Sequence, residues 1–179
     1  VTEAVRDLLF NRDGLMLGIC NGFQALVKLG LVPYGDIRPM DDECPTLTFN
    51  TIGRHQSRLV RTRVASNLSP WLSQCEPGDI HTVAISHGEG RFVCSPELQH
   101  QLEVTGRIAT QYVDEAGQPS MDWDVNPNGS VMAIEGITSP DGRVLGKMGH
   151  VERRGDGLYK NVPGNKFMPL FESGVKYFT

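Results

Sequence analysis

At 179 residues, with 39% hydrophobic and 21% charged side chains, the chain has the size and composition of one folded unit over 1–179 and not of a disordered segment. A formal net charge of -4 removes any long-range pull toward nucleic acid or anionic lipid, so neither nucleic acid nor membrane is an expected partner. No apolar run reaches the ~20 residues of a bilayer span and no secretory pattern opens the chain, which predicts a cytoplasmic protein.

Val1 leads directly into a helix-like stretch with no strand before it, which predicts a piece of a longer polypeptide cut at its N-terminal edge. Val5, Leu8 and Leu9 fall at helical spacing within Thr2 to Phe10, and Asn11 with Gly14 supplies the stop. Leu15, Met16, Leu17 and Ile19 form a nearly continuous apolar run, the pattern of a parallel strand buried on both faces. A helix follows over Gly22 to Leu31 and stops at Gly30, with Pro33 beyond. From Val32 to Asn50 the prolines and the acidic run Asp41 to Glu43 predict an exposed connection.

Strands are predicted over Leu59 to Val64 and Ile80 to Ser86, with a short helix opening at Ser69-Pro70 between them. The basic cluster Arg54, Arg58, Arg61 and Arg63 reads as a solvated strand face in preference to an anion or partner site. Ser95 is a natural N-cap for a helix over Pro96 to Leu102. Ile108 to Val113 has strand composition, and Val131 to Thr138 with Val144 to Met148 flank the turn formers Ser139-Pro140-Asp141-Gly142, which predicts an antiparallel hairpin. A terminal helix over Phe167 to Phe178 completes an α/β domain in which a mostly parallel sheet carries helices on both faces and a C-terminal β-hairpin is added.

The four cysteines, Cys20, Cys44, Cys75 and Cys94, form no CxxC pair, so they build neither a zinc ribbon nor a dense disulfide framework. Cys20 stands apart by context. Gly18-Ile19-Cys20-Asn21-Gly22 joins the buried strand to the next helix, and a G-x-nucleophile-x-G sequence there turns the chain sharply and points its central side chain out of the sheet. The helix N-terminus then favours the Cys20 thiolate, and the Asn21 N–H lies where a developing oxyanion can accept it. A nucleophile needs a base and the base an orienting partner. His150 and Glu152 share one side if the segment leaving the last strand is extended, with Val151 turned away. Incidental pairing of Glu152 with Arg153 is the bland alternative.

The stretches LMLGICNGFQALVKLGLVP, SHGEGRF, NPNGS and GRVLGKMGHVERRGDGLYKNVPGN resemble the class I glutamine amidotransferase domain of phosphoribosylformylglycinamidine synthase, over essentially the whole chain. The tail GLYKNVPGN is similar to that of the large single-chain form. The resemblance implies a flavodoxin-like domain with a Cys-His-Glu triad, here Cys20, His150 and Glu152, acting on L-glutamine. It also implies a glutamine pocket at Gln24 and at the loop Ser86, His87 and Gly88. No metal or cofactor is expected in the domain; ATP and Mg belong to a synthetase portion of the same enzyme, which receives the ammonia.

Where the family often has proline between the triad His and Glu, this chain has Val151. The family's first strand and its glycine-containing loop, a second oxyanion donor, are expected upstream of Val1, and losing one donor costs ~10²–10³ in rate. Two readings compete: a stand-alone cysteine hydrolase or redox sensor of the same architecture, and an inactive docking module.

Overall fold

The computed structural model describes residues 1–179. In chain order the elements are α1 (Thr2–Arg6, continued by a wider π-helical turn over Asp7–Asn11), β1 (Met16–Ile19), α2 (Asn21–Leu29) and the single turn α3 (Leu31–Tyr34). Then come β2 (Thr46–Thr48), β3 (Gln56–Val64), a 3₁₀ turn (Pro70–Leu72), β4 (Ile80–His87), β5 (Arg91–Val93) and α4 (Pro96–Val104). β6 (Ile108–Tyr112), a second 3₁₀ turn (Val131–Ala133), β7 (Ile134–Thr138), β8 (Val144–Lys147) and α5 (Leu170–Lys176) complete the chain. No helix is long and apolar enough to cross a membrane.

Most predicted elements form for the reasons given. Gly30 caps α2 in the left-handed region at φ 82, and its N–H donates to Val27 O. Ser95 and Ser69 accept from the Leu98 and Trp71 N–H groups and start α4 and the first 3₁₀ turn. The connection over 32–50 is not all loop, because Thr46–Thr48 pairs antiparallel with Arg91–Val93 as a small separate ribbon.

The main sheet has six strands in the order β1-β8-β7-β6-β3-β4. Its α/β character, the helices on both faces and the β7–β8 hairpin are as expected. The strand directions are not: β1–β8 is the one parallel pair, and the others are antiparallel. β7 and β8 are buried along their whole length although they pair antiparallel, so an apolar run marks a strand covered on both faces without fixing its direction.

Alternation along β8 divides the interior. Val144 joins the core under α2, α3 and α4 with Phe23, Leu26, Leu31 and Leu102, whereas Leu145 joins the opposite core with Val83, Leu72 and Leu170. Gly18 and Gly146 are register partners, and a Cβ would come within 2.5 Å of Leu26 at Gly18 and 2.1 Å of Phe23 at Gly146. Two adjacent glycines thus let α2 lie directly on the β1–β8 seam, at the end where Cys20 emerges.

Candidate active site

Cys20 occupies φ 54 and ψ -108, a left-handed conformation that a non-glycine residue adopts at a cost of about 1–3 kcal/mol. Its backbone is tied on both sides: the N–H donates to Lys147 O at 2.8 Å and the carbonyl accepts from Gln24 N at 3.1 Å. Parallel pairing of Ile19 with Lys147 brings the residues after both strands to the same end of the sheet.

The sheet also meets itself there. β4 stands at the far end of the strand order, yet the His150 N–H donates to Ala84 O at 2.8 Å in an antiparallel bridge. Two residues along, the Cys20 thiol donates to Ser86 O at 3.9 Å. Carbonyls of residues i and i+2 in a strand point the same way, about 7 Å apart. One edge of β4 therefore receives both the elbow cysteine and the histidine that lies far along the chain.

His150 Nδ1 lies 2.5 Å from Glu152 Oε1, while Arg153 Nε is 4.0 Å from the same oxygen. The pair forms differently from the expectation of an extended segment. A turn closed by Arg153 N–H to His150 O at 3.3 Å brings the carboxylate back to the ring, and Val151 plugs into the core between them. His150 Nε2 is buried and has no hydrogen-bond partner.

The pull of the helix N-terminus toward a Cys20 thiolate is opposed by burial. Burial pushes the Cys20 thiol above its ordinary range and Glu152 adds to this, outweighing the Asn21 N–H and the Arg153 charge, which lower it. A thiol held protonated in this way depends on a base to become a nucleophile.

Gln24 projects from the first turn of α2, where Nε2 donates to Glu89 O at 2.6 Å and fastens the elbow helix to the loop after β4. Ser86 Oγ pairs with His55 Nε2 at 3.1 Å, and Gly88 O accepts from Asn50 N at 2.9 Å. His87 points into the protein, only 5% exposed, and neither ring nitrogen has a partner. Burial, helped by the charges of His150 and His55, brings its pKa down to about 4, so the ring is neutral near pH 7. Gly90 makes room for that ring, since a Cβ would come within 2.3 Å of it.

Two sets of residues escaped the sequence reading. Buried Asn50 donates to His87 O at 2.9 Å and accepts from Gly90 N at 3.1 Å, bracing the 87–90 loop from β2's side. The segment NPNGS braces it from the other side through Ser130 Oγ, which donates to Gly90 O at 3.2 Å and accepts from Phe92 N at 3.0 Å. An asparagine between strands carries no pattern that marks it as structural. Lys147 and Glu135 form a buried ion pair at 3.0 Å, and charged residues inside the apolar strands β7 and β8 are a signal that could have found them. The basic cluster is not freely solvated: Arg58, Arg61 and Arg63 donate to Asp124 O, Glu115 O and Gln111 Oε1. No three His, Cys, Asp or Glu side chains converge as a metal site would need.

Comparison with known proteins bears on this arrangement. Residues 1–178 match the model of the CobB/CobQ-like glutamine amidotransferase domain. A "Phosphoribosylformylglycinamidine synthase subunit PurQ" from Synechococcus sp. (strain JA-2-3B'a(2-13)) is 36% identical over 167 residues, covering 93% of this chain and 64% of the relative. Another protein of that name, from Symbiobacterium thermophilum, is 34% identical over 179 residues, 100% of this chain and 69% of its own length. Among solved structures, "Structure of PurLQS from Thermotoga maritima" aligns with TM-score 0.69 at 26% identity, covering 99% of this chain and 66% of that one. The chain thus spans roughly two thirds of the length of these relatives. It belongs to the CobB/CobQ-like glutamine amidotransferase domain family.

Proposed function

We propose that this chain hydrolyses L-glutamine to glutamate and ammonia through a thioester on Cys20. The single observation that carries the reading is that Cys20 and His150 bond to Ser86 O and Ala84 O, two residues apart on one edge of β4, with Glu152 against the imidazole. His150 Nε2, buried and unpartnered, takes the thiol proton as Sγ attacks the side-chain amide carbon. The oxyanion of the tetrahedral intermediate meets the Asn21 N–H at the start of α2. The imidazolium then returns the proton to the departing nitrogen, the C–N bond breaks, and ammonia leaves the Cys20 thioester. Water deprotonated by the same imidazole attacks the thioester, and glutamate departs as the thiol is reprotonated.

Glu152 holds Nδ1–H and stabilises the imidazolium in both half-reactions. Gln24 and the loop at Ser86, His87 and Gly88 form the glutamine pocket, the loop offering backbone groups and the neutral His87 serving as its buried prop. The family and the PurQ relatives support assignment to formylglycinamidine ribonucleotide synthesis in purine biosynthesis. In that role the ammonia passes to a synthetase portion that binds ATP and Mg. Resemblance of the tail GLYKNVPGN supports a synthetase portion in the same polypeptide, which the mass of the native gene product tests.

The raised Cys20 thiol weighs against the redox-sensing alternative, because sensor cysteines are low-pKa and exposed. Release of glutamate from glutamine by the full-length protein tests the reading, with Cys20→Ala expected to abolish it. Undiminished release by that variant would reject Cys20 as the nucleophile.

A further inference from the structure

Lys147 receives the Cys20 N–H on its carbonyl, but the Lys147 and Glu135 side chains bond only to each other, to Gly149 and to Thr110, and to none of the groups that meet substrate in the reading above. Both side chains are 0% exposed. Lys147 Nζ donates to Gly149 O at 3.0 Å, and the Gly149 N–H donates to Glu135 Oε1. Thr110 Oγ donates to the other carboxylate oxygen from β6. Both polar backbone groups of the residue before His150 therefore end on this one ion pair.

The fit around that residue is close. A Cβ at Gly149 would lie 2.7 Å from Val83 Cγ2, 2.8 Å from Glu135 Oε1 and 3.3 Å from Lys147 Nζ. Beyond it, the His150 N–H is already fixed to Ala84 O. A buried ion pair is a weak source of stability, and apolar side chains of similar volume often do as well or better. Apolar side chains could not grip an N–H and a C=O together.

We propose that Lys147 and Glu135 are positioning residues that fix the backbone immediately before His150 and so aim its imidazole at Cys20; this rests on the glutaminase reading above. The pair acts through Gly149 and never meets glutamine, so its loss lowers turnover without weakening substrate binding.

The test is the full-length protein carrying Lys147→Met together with Glu135→Met, which removes the grip without leaving one buried charge unpaired. The expected result is a folded protein whose kcat for glutamine hydrolysis falls about 100-fold with KM within about threefold, the effect of a misplacement near 1 Å. The imidazole ¹⁵N and Nδ1–H resonances of His150 should shift from their wild-type positions as the ring loses its fixed geometry. Should the double variant fail to fold, Gly149→Ala presses on the same grip and is read by the same split and the same resonances. A folded variant with wild-type kcat and unchanged His150 resonances would overturn the proposal, as would a change confined to KM. Failure of the wild-type protein to hydrolyse glutamine would instead sink the glutaminase reading, and the His150 resonances would then decide the positioning role by themselves.

Discussion

His150 donates its backbone N–H to Ala84 O at 2.8 Å, and this bond ties the segment after β8, second in the six-stranded sheet, to β4 at its far end. The base of the proposed reaction is therefore anchored in the sheet and not carried on a free loop. Its ring is expected to act from a fixed position, so His150→Ala should lower kcat by about 10²–10⁴-fold, the usual contribution of a general acid–base group. Steady-state glutamate release measures this, and a loss under tenfold would argue against the assignment.

The α2 contact predicts a stability effect at the seam. Gly146→Ala places a Cβ against the Phe23 ring, which α2 holds in the core, and overpacking of this kind costs about 1–3 kcal/mol. Urea denaturation should show the loss as a lower midpoint with an unchanged slope. An unaltered midpoint would mean that α2 does not press on β8.

Acid stability should carry the signature of His87. Its folded-state pKa is depressed to about 4 by burial, so the unfolded chain binds the proton more readily. The contribution is fully present above the ordinary value of 6.5 and is lost as pH falls through about 4. A His87→Gln variant should show a shallower fall in stability across that window than the wild-type protein, measured by urea titration at each pH. Parallel curves would show that His87 titrates normally.

On the alkaline side the sign reverses. Burial raises the thiols of Cys75 and Cys94 from 9.0 to about 11, with nearby Asp79 and Glu76 adding to the effect at Cys75. The folded state then holds these protons more tightly, so their stabilising contribution is present below pH 9 and declines as pH rises through about 11. Replacing both with Ala or Ser should flatten the stability curve between these limits, and an unchanged slope would count against buried thiols.

Asn50 gives a local test of the loop beside the elbow. Its side chain is buried and serves both His87 O and Gly90 N, so Asn50→Ala leaves those groups unpaired at a cost of about 1–3 kcal/mol. Hydrogen exchange should report faster opening of residues 87–90 in the variant. Unchanged protection would mean the loop is held by Ser130, Gln24 and the Asn50 backbone N–H without the Asn50 side chain.

What the sequence disclosed and what it hid divide along physical lines. β1, α2 and the β7–β8 hairpin were legible because their apolar spacing, Gly30 and the Ser139–Gly142 turn formers are local signals. The β2–β5 ribbon was not, since strands of three residues each carry no periodicity and find each other 45 positions apart, as in Leu47 with Phe92. Cys20, His150 and Glu152 stood out through their motifs, but the turn at Val151 and the upward shift of the thiol depend on burial that only the assembled fold supplies. Lys147 and Glu135 lay in apolar strands as apparent errors of pattern, and their joint hold on Gly149 required both strands in register.

The most direct measurement is covalent labelling of the full-length protein with a glutamine-analogue electrophile, followed by mapping of the modified residue. The account predicts modification at Cys20, blocked by L-glutamine and slowed in His150→Ala. Modification at Cys44, Cys75 or Cys94, or labelling of Cys20 that neither glutamine nor the His150 substitution affects, would contradict it.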